Sequence, residues 1–178
     1  AGKSLAGLQV LSAVFKDRSL AKYYLCLVKG EMKEEQMLEG YLSKNRQTNL
    51  VTVKKTASSP EDLLIRTAYT PLVSNSALTL LKVKLITGRS HQIRAHLASV
   101  GHPIIGDPKY GDRKANQYYE KKYQITAQLL HSFELYFPNL AGELSYLSGK
   151  HITAPFPAAF VRLMEGENIV WQPGIPEV

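Results

Sequence analysis

A single cysteine, Cys26, stands in 178 residues. It cannot close an internal disulfide, which excludes a disulfide-stapled secreted scaffold, and it excludes thiolate zinc clusters as well. Long hydrophobic runs are also missing. None approaches the ~20 residues that span a bilayer, because Lys29, Lys82 and Lys84 interrupt the best stretches. The 12 glycines and 9 prolines follow no period, so collagen-like and low-complexity classes fall away. There is no P-loop, no glycine spacing for a dinucleotide and no nucleophile-elbow sequence. No secretory leader is apparent, although the chain opens at Ala1, so an upstream segment is expected to be missing; the expected compartment is cytoplasmic, with no membrane partner. Negative charge is the scarce sign, 15 Asp+Glu against 22 Lys+Arg, for a net charge of +7. A basic surface favours polyanions, nucleic acid first, but charge alone does not separate an RNA partner from a merely basic protein.

What is present reads as one α+β domain. The segment from Ser4 to Asp17 has helical periodicity, with Ser4 as N-cap and Leu5, Leu8, Ser12 and Phe15 on one apolar stripe. Strand-length segments follow at 22–29, 37–42, 50–54, 63–71 and 76–86, with a turn at Ser74-Asn75-Ser76. Short polar links between them predict a mixed, mainly antiparallel β-sheet with flanking helices. Residues 90–100 switch to helical period, with Ile93, Leu97 and Val100 on the apolar stripe, and end at Gly101 and Pro103. A strand at 129–138 and a helix at 158–165 complete the domain, expected to occupy 1–165, with a loose tail over 166–178.

The densest chemistry lies in Thr87–Asp107, TGRSHQIRAHLASVGHPIIGD. A helix start offers free N–H groups, Arg89 and Arg94 offer planar forks for a carboxylate or phosphate, and His91 and Gln92 add neutral hydrogen-bonding groups. A zinc site built from His91, His96, His102 and Asp107 is disfavoured, because residues five apart on a helix diverge by about 140°. A second cluster sits on the strand at 22–29, where Lys22 and Tyr24 are two apart and share a face able to stack a base and meet a phosphate; Tyr24 in a core with Lys22 at its rim is the competing reading. A third cluster interleaves Tyr118, Tyr119 and Tyr123 with Lys114, Lys121 and Lys122, either as a nucleic-acid contact or as a solvated helix.

Together these segments resemble the RluA-type family of RNA pseudouridine synthases. The resemblance rests on Phe15-x-x-Arg18-x-Leu20-x-Lys22-x-Tyr24 closing at Val28-x-Gly30, and on Thr87-Gly88-Arg89-Ser90-His91-Gln92-Ile93-Arg94-Ala95-His96. It continues through Gly101-His102-Pro103-Ile104-Ile105-Gly106-Asp107, Tyr110-Gly111, Leu129-Leu130-His131-Ser132 and Ala154-Pro155. It implies an isomerase that converts uridine to pseudouridine in structured RNA, ribosomal RNA ahead of transfer RNA, as a monomer without cofactor or metal. It further implies that Tyr24 stacks on the target base, that Arg94 pairs with the nucleophilic aspartate, and that Lys22, Arg89, His91 and Gln92 meet RNA. One departure stands out. The family's aspartate lies in a His-Arg-Leu-Asp motif that this sequence does not contain, and Asp17, Asp62, Asp107 and Asp112 all lack that setting. The resemblance therefore implies part of a catalytic domain, inactive by itself.

Overall fold

The computed structural model of the protein describes residues 3–45, 48 and 50–171. Its centre is a seven-stranded sheet of β1 (Ala21–Lys29), β2 (Gln36–Lys44), β3 (Val51–Lys54), β4 (Leu63–Ser74), β5 (Leu78–Leu85), β6 (Leu130–Tyr136) and β7 (His151–Thr153). The spatial order is β3-β2-β4-β5-β1-β6-β7. Every pairing among these strands is antiparallel. The turn between β4 and β5 forms where expected: Asn75 Oδ1 accepts the N–H groups of Ala77 and Leu78 at 2.9 and 2.8 Å.

Among the described residues four α-helices flank the sheet: α1 (Leu5–Lys16), α2 (Gln92–Ser99), α3 (Arg113–Tyr123) and α4 (Ala158–Gly166). Strand alternation on β1 divides the core between two faces. Leu25 and Leu27 join Leu78, Leu80, Tyr119, Tyr123, Phe160 and Leu163 under α3 and α4. Cys26 and Val28 join Leu81, Val83, Ile93 and Leu97 under α2, with Tyr24 at the edge of that cluster. The segment after α2 is stitched to the end of β1, since Lys29 N–H donates to Pro103 O (3.0 Å) and Ile105 N–H to Leu27 O (2.9 Å).

Three sequence expectations change. In α1 the Ser4 cap forms, accepting from Gly7 N–H at 3.1 Å, but the apolar stripe points outward. Leu5 is 72% exposed and Leu8 and Phe15 are exposed too, while Gly7 and Val14 are the buried positions. Val14 packs with Leu20 and Phe137, with Leu11 beside them, so the face with fewer large side chains is the one that meets the sheet's β6 end. In α2, Val100 lies outside the helix and is exposed, and Gln92 and His96 take buried positions instead. Finally, the core does not stop at 165. Ile169 is buried and Trp171 packs against the α3–α4 cluster, so the expected loose tail is structured as far as 171; residues 172–178 lie outside the described residues. Strand β7 and a 3-10 helix at Gly142–Leu147 had no clear signal.

Candidate active site and RNA-facing cleft

The two sequence clusters meet at one end of the sheet. β1 opens with Lys22, Tyr23 and Tyr24 paired against the closing residues of β5, Tyr23 opposite Lys84 and Tyr24 opposite Val83. β5 then runs into Thr87, Gly88 and Arg89 and the start of α2. On its other side the pairing of β1 with β6 shifts register between Tyr23 and Tyr24, whose partners are Glu134 and Ser132, so that Phe133 is the extra residue of a bulge on β6. Tyr24 is half-buried, its ring against the cluster under α2. Lys22 shares that face and holds its ammonium 5.5 Å from the Phe15 ring. Partial burial, helped by the charge on Arg18, lowers the Lys22 pKa from its ordinary value.

Gln92 is not a surface contact. It is 2% exposed and its amide makes four bonds. Oε1 accepts from Thr87 Oγ1 (2.8 Å) and Arg89 N–H (3.1 Å), while Nε2 donates to Arg66 O and Thr67 Oγ1, both at 3.0 Å. A side chain with no spare donor or acceptor and no open surface cannot reach RNA; it ties β4 to the turn that carries Arg89. The helix start is likewise partly occupied, because Gln92 N–H already donates to Arg89 O at 3.1 Å.

Arg94 already holds one carboxylate of this chain. Asp107 takes it in a two-pronged grip, Nε to Oδ2 at 2.7 Å and Nη2 to Oδ1 at 2.6 Å. The carboxylate is completely enclosed and also accepts the N–H groups of Lys109 (2.8 Å) and Tyr110 (3.0 Å). Burial opposes its ionisation, but the Arg94 fork and the two amides outweigh it and hold the Asp107 carboxyl below its usual range. Arg89, in contrast, is exposed, and among the described residues no acceptor holds its guanidinium. Of the two arginines, Arg89 is the one with its whole guanidinium open to a ligand.

His91 sits between them in the left-handed region, φ 58°, half-buried, with Nδ1 3.0 Å from the Tyr110 hydroxyl. The zinc alternative does not materialise, for no group of three or more metal-ligating side chains assembles among the described residues. His96 points inward to Thr67 Oγ1 at 3.0 Å, and His102 to Lys29 O at 2.9 Å. In the third cluster, α3 buries Tyr119 and Tyr123 in the core and leaves Tyr118 exposed beneath the Lys122 ammonium, so the helix reading holds and the aromatics are mostly packing.

The family profile described as RNA pseudouridylate synthase matches residues 1–99. The chain belongs to that family. The ribosomal large subunit pseudouridine synthase C of Vibrio cholerae is 32% identical over 142 residues, which is 79% of this chain and 43% of the relative. The RNA pseudouridylate synthase domain-containing protein 1 of Danio rerio is 31% identical over 151 residues, 80% of this chain and 47% of that protein. In solved structures, human RNA pseudouridylate synthase domain containing 1 superposes with a TM-score of 0.70 at 21% identity, covering 87% of this chain and 62% of that one. That last likeness shows a shared fold. The chain thus spans less than half the length of the curated relatives it matches.

The roles of Asp107, Tyr110 and Thr87 as partners of Arg94, His91 and Gln92 were not apparent from pattern. The Gly106-Asp107-x-x-Tyr110-Gly111 stretch reads as a turn, and it is the Arg94 fork with the Lys109 and Tyr110 N–H groups that accounts for a buried carboxylate there.

Proposed function

We propose that this chain supplies the tyrosine wall and the cationic rim of a uridine-isomerising cleft acting on structured RNA, ribosomal RNA ahead of transfer RNA, as a cytoplasmic monomer whose domain runs from the amino-terminal helix through Trp171. The observation that carries the reading is the convergence of Tyr24, Lys22 and the unheld Arg89 at one end of the sheet, within a chain of the RNA pseudouridylate synthase family. In the reaction the C1′–N1 bond breaks and a C1′–C5 bond forms; C5 loses a proton and N1 gains one, so atoms balance without any cofactor. Tyr24 stacks beneath the target base and its hydroxyl takes the C5 proton. Arg89 is free to meet a flanking phosphate, and Arg94, with three N–H donors beyond the two on Asp107, orients the nucleophilic carboxylate. An aromatic platform and several cations together offset the few kcal/mol needed to unstack a uridine.

No aspartate of this sequence stands in a His-Arg-Leu-Asp setting, so the 178 residues by themselves bind RNA without turning it over. The test is RNA tritiated at uridine C5, incubated with the 178-residue chain. Expected are binding that weakens steeply with added salt and no tritium release. Release of tritium would overturn the inactivity of the chain, and salt-independent or absent binding would overturn the RNA reading.

A further inference from the structure

His91 is fixed by more than its helix. The backbone N–H of Val51, at the start of β3, donates to the Tyr110 hydroxyl at 3.1 Å. That hydroxyl lies 3.0 Å from His91 Nδ1. A hydroxyl carries a single proton. With its oxygen accepting from Val51, the hydroxyl has that proton to give to His91 Nδ1, the arrangement in which Nδ1 is the acceptor. The imidazole then carries its own proton on Nε2. Tyr110 cannot easily turn away, because the Arg94 guanidinium lies 5.2 Å over its ring and Asp107 grips both Arg94 and the Tyr110 N–H. The ring of His91 meets that of Tyr110 edge-on at 5.7 Å. Its left-handed backbone, a conformation that costs on the order of 1 kcal/mol outside glycine, is held in place by these contacts. Among the described residues the only fully enclosed side-chain polar atom without a partner belongs to His131, so His91 Nε2 opens to solvent.

We propose, resting on the RNA reading above, that Val51 and Tyr110 lock His91 as its Nε2–H tautomer, so that it offers one uncharged donor to an acceptor oxygen of the RNA beside the cationic Arg89. Tyr110 is the positioning residue and His91 the recognition residue. The surroundings agree with an uncharged ring. Partial burial, then the charges of Arg94, Lys109 and Lys44, push the imidazole below its ordinary pKa, and Asp107 alone pulls the other way. An uncharged donor reads an oxygen by direction and distance, whereas an arginine next to it binds any phosphate within reach.

The experiment has two arms. Nitrogen-15 NMR of the imidazoles in the 178-residue chain reads the tautomer directly. Nδ1 of His91 is expected to show the unprotonated signature at pH 7, and Tyr110→Phe is expected to give a tautomer mixture. In the second arm, RNA affinity is measured against salt for His91→Leu, His91→Gln and Arg89→Gln. His91→Leu is expected to weaken binding roughly three- to tenfold with the salt slope unchanged, and the amide donor of His91→Gln to restore most of it. Arg89→Gln is expected to lower the slope by about one. Repeating the series on a uridine-free RNA names the acceptor. Loss on both RNAs assigns a phosphate or ribose oxygen, and loss confined to uridine-containing RNA assigns a uracil carbonyl; either bears the proposal out. A protonated Nδ1, a salt slope that falls with His91→Leu, or no loss on either RNA overturns it. If the unaltered chain binds neither RNA, the functional reading falls too, whereas intact binding with the wrong tautomer sinks this proposal alone.

Discussion

Arg94 and Asp107 show how a residue singled out by pattern can have a partner inside the chain that the pattern did not name. Both were visible in one short block, with Arg94 expected to orient a reacting carboxylate. The structure spends both of the guanidinium's near donors on Asp107, whose carboxylate has no exposed surface. Removing one member of such a buried pair leaves the other desolvated and unpaired, which typically costs about 3–5 kcal/mol. Asp107→Ala is therefore expected to lower the unfolding free energy by about that much in urea titrations. Arg94→Met combined with Asp107→Leu is expected to lose much less than the two single changes summed, since a matched apolar pair strands no charge. Additive losses would show that the two residues act independently, and the framing role given to them here would be wrong.

At the scale of elements, the loop between α2 and α3 carries Asp107 and Tyr110, the partners of Arg94 and His91. Its Gly106 has φ +77°, and a Cβ there would collide with the Ala127 carbonyl oxygen and crowd the Ile125 side chain. Gly106 N–H also donates to Asn116 Oδ1 at 2.8 Å, and Asn116 Nδ2 returns to Asp107 O at 2.8 Å. Gly106→Ala combines a left-handed penalty with backbone overlap. We expect a loss of about 2–4 kcal/mol, read as a lower urea midpoint with unchanged m-value, and a weakening of the Arg94–Asp107 grip. A neutral outcome would mean that the loop shifts freely. The elements themselves were largely legible beforehand, because strand alternation and helix caps are local signals; β1, β5 and the Asn75 turn fall within a residue or two of where pattern puts them. Facing was not legible. Periodicity announced a stripe on α1 but could not tell that Gly7 and Val14, with smaller side chains, are the ones turned inward, Gly7 toward Leu144 and Val14 onto Leu20 and Phe137. Nor could it tell that Gln92, a polar residue at a helix start, closes four hydrogen bonds inside. The first outcome depends on Phe137, far along the chain from α1, and the second on Arg66 and Thr67 of β4, 26 and 25 residues before Gln92.

For the molecule as a whole, acid is the informative stress. His96 is almost wholly buried beneath α2, with Nδ1 on Thr67 Oγ1 and Nε2 beside Gly40 of β2. Burial lowers its pKa from 6.5 to about 4, since the imidazolium would have to leave water. Above pH 6.5 the ring is neutral both folded and unfolded, and it contributes no pH dependence. Between 6.5 and about 4 only the unfolded chain takes up the proton, so stability falls with falling pH, by about 3 kcal/mol across the window. Below about 4 both states are protonated and this contribution levels off. The loss belongs to the whole domain, because His96 and Gln92 share Thr67 and so couple α2 to β4 and the Arg89 turn. Urea midpoints of the unaltered chain are expected to drop through that window, and those of His96→Gln to drop by less, starting from a lower stability at pH 7. Equal slopes for the two proteins would show that His96 is not the buried base that links acid to unfolding. RNA affinity measured at pH 6 on the folded chain is expected to stay near its pH 7 value, since the cations of the rim keep their charge, partial burial and the nearby cations hold His91 below its ordinary pKa, and His96 lies beneath them.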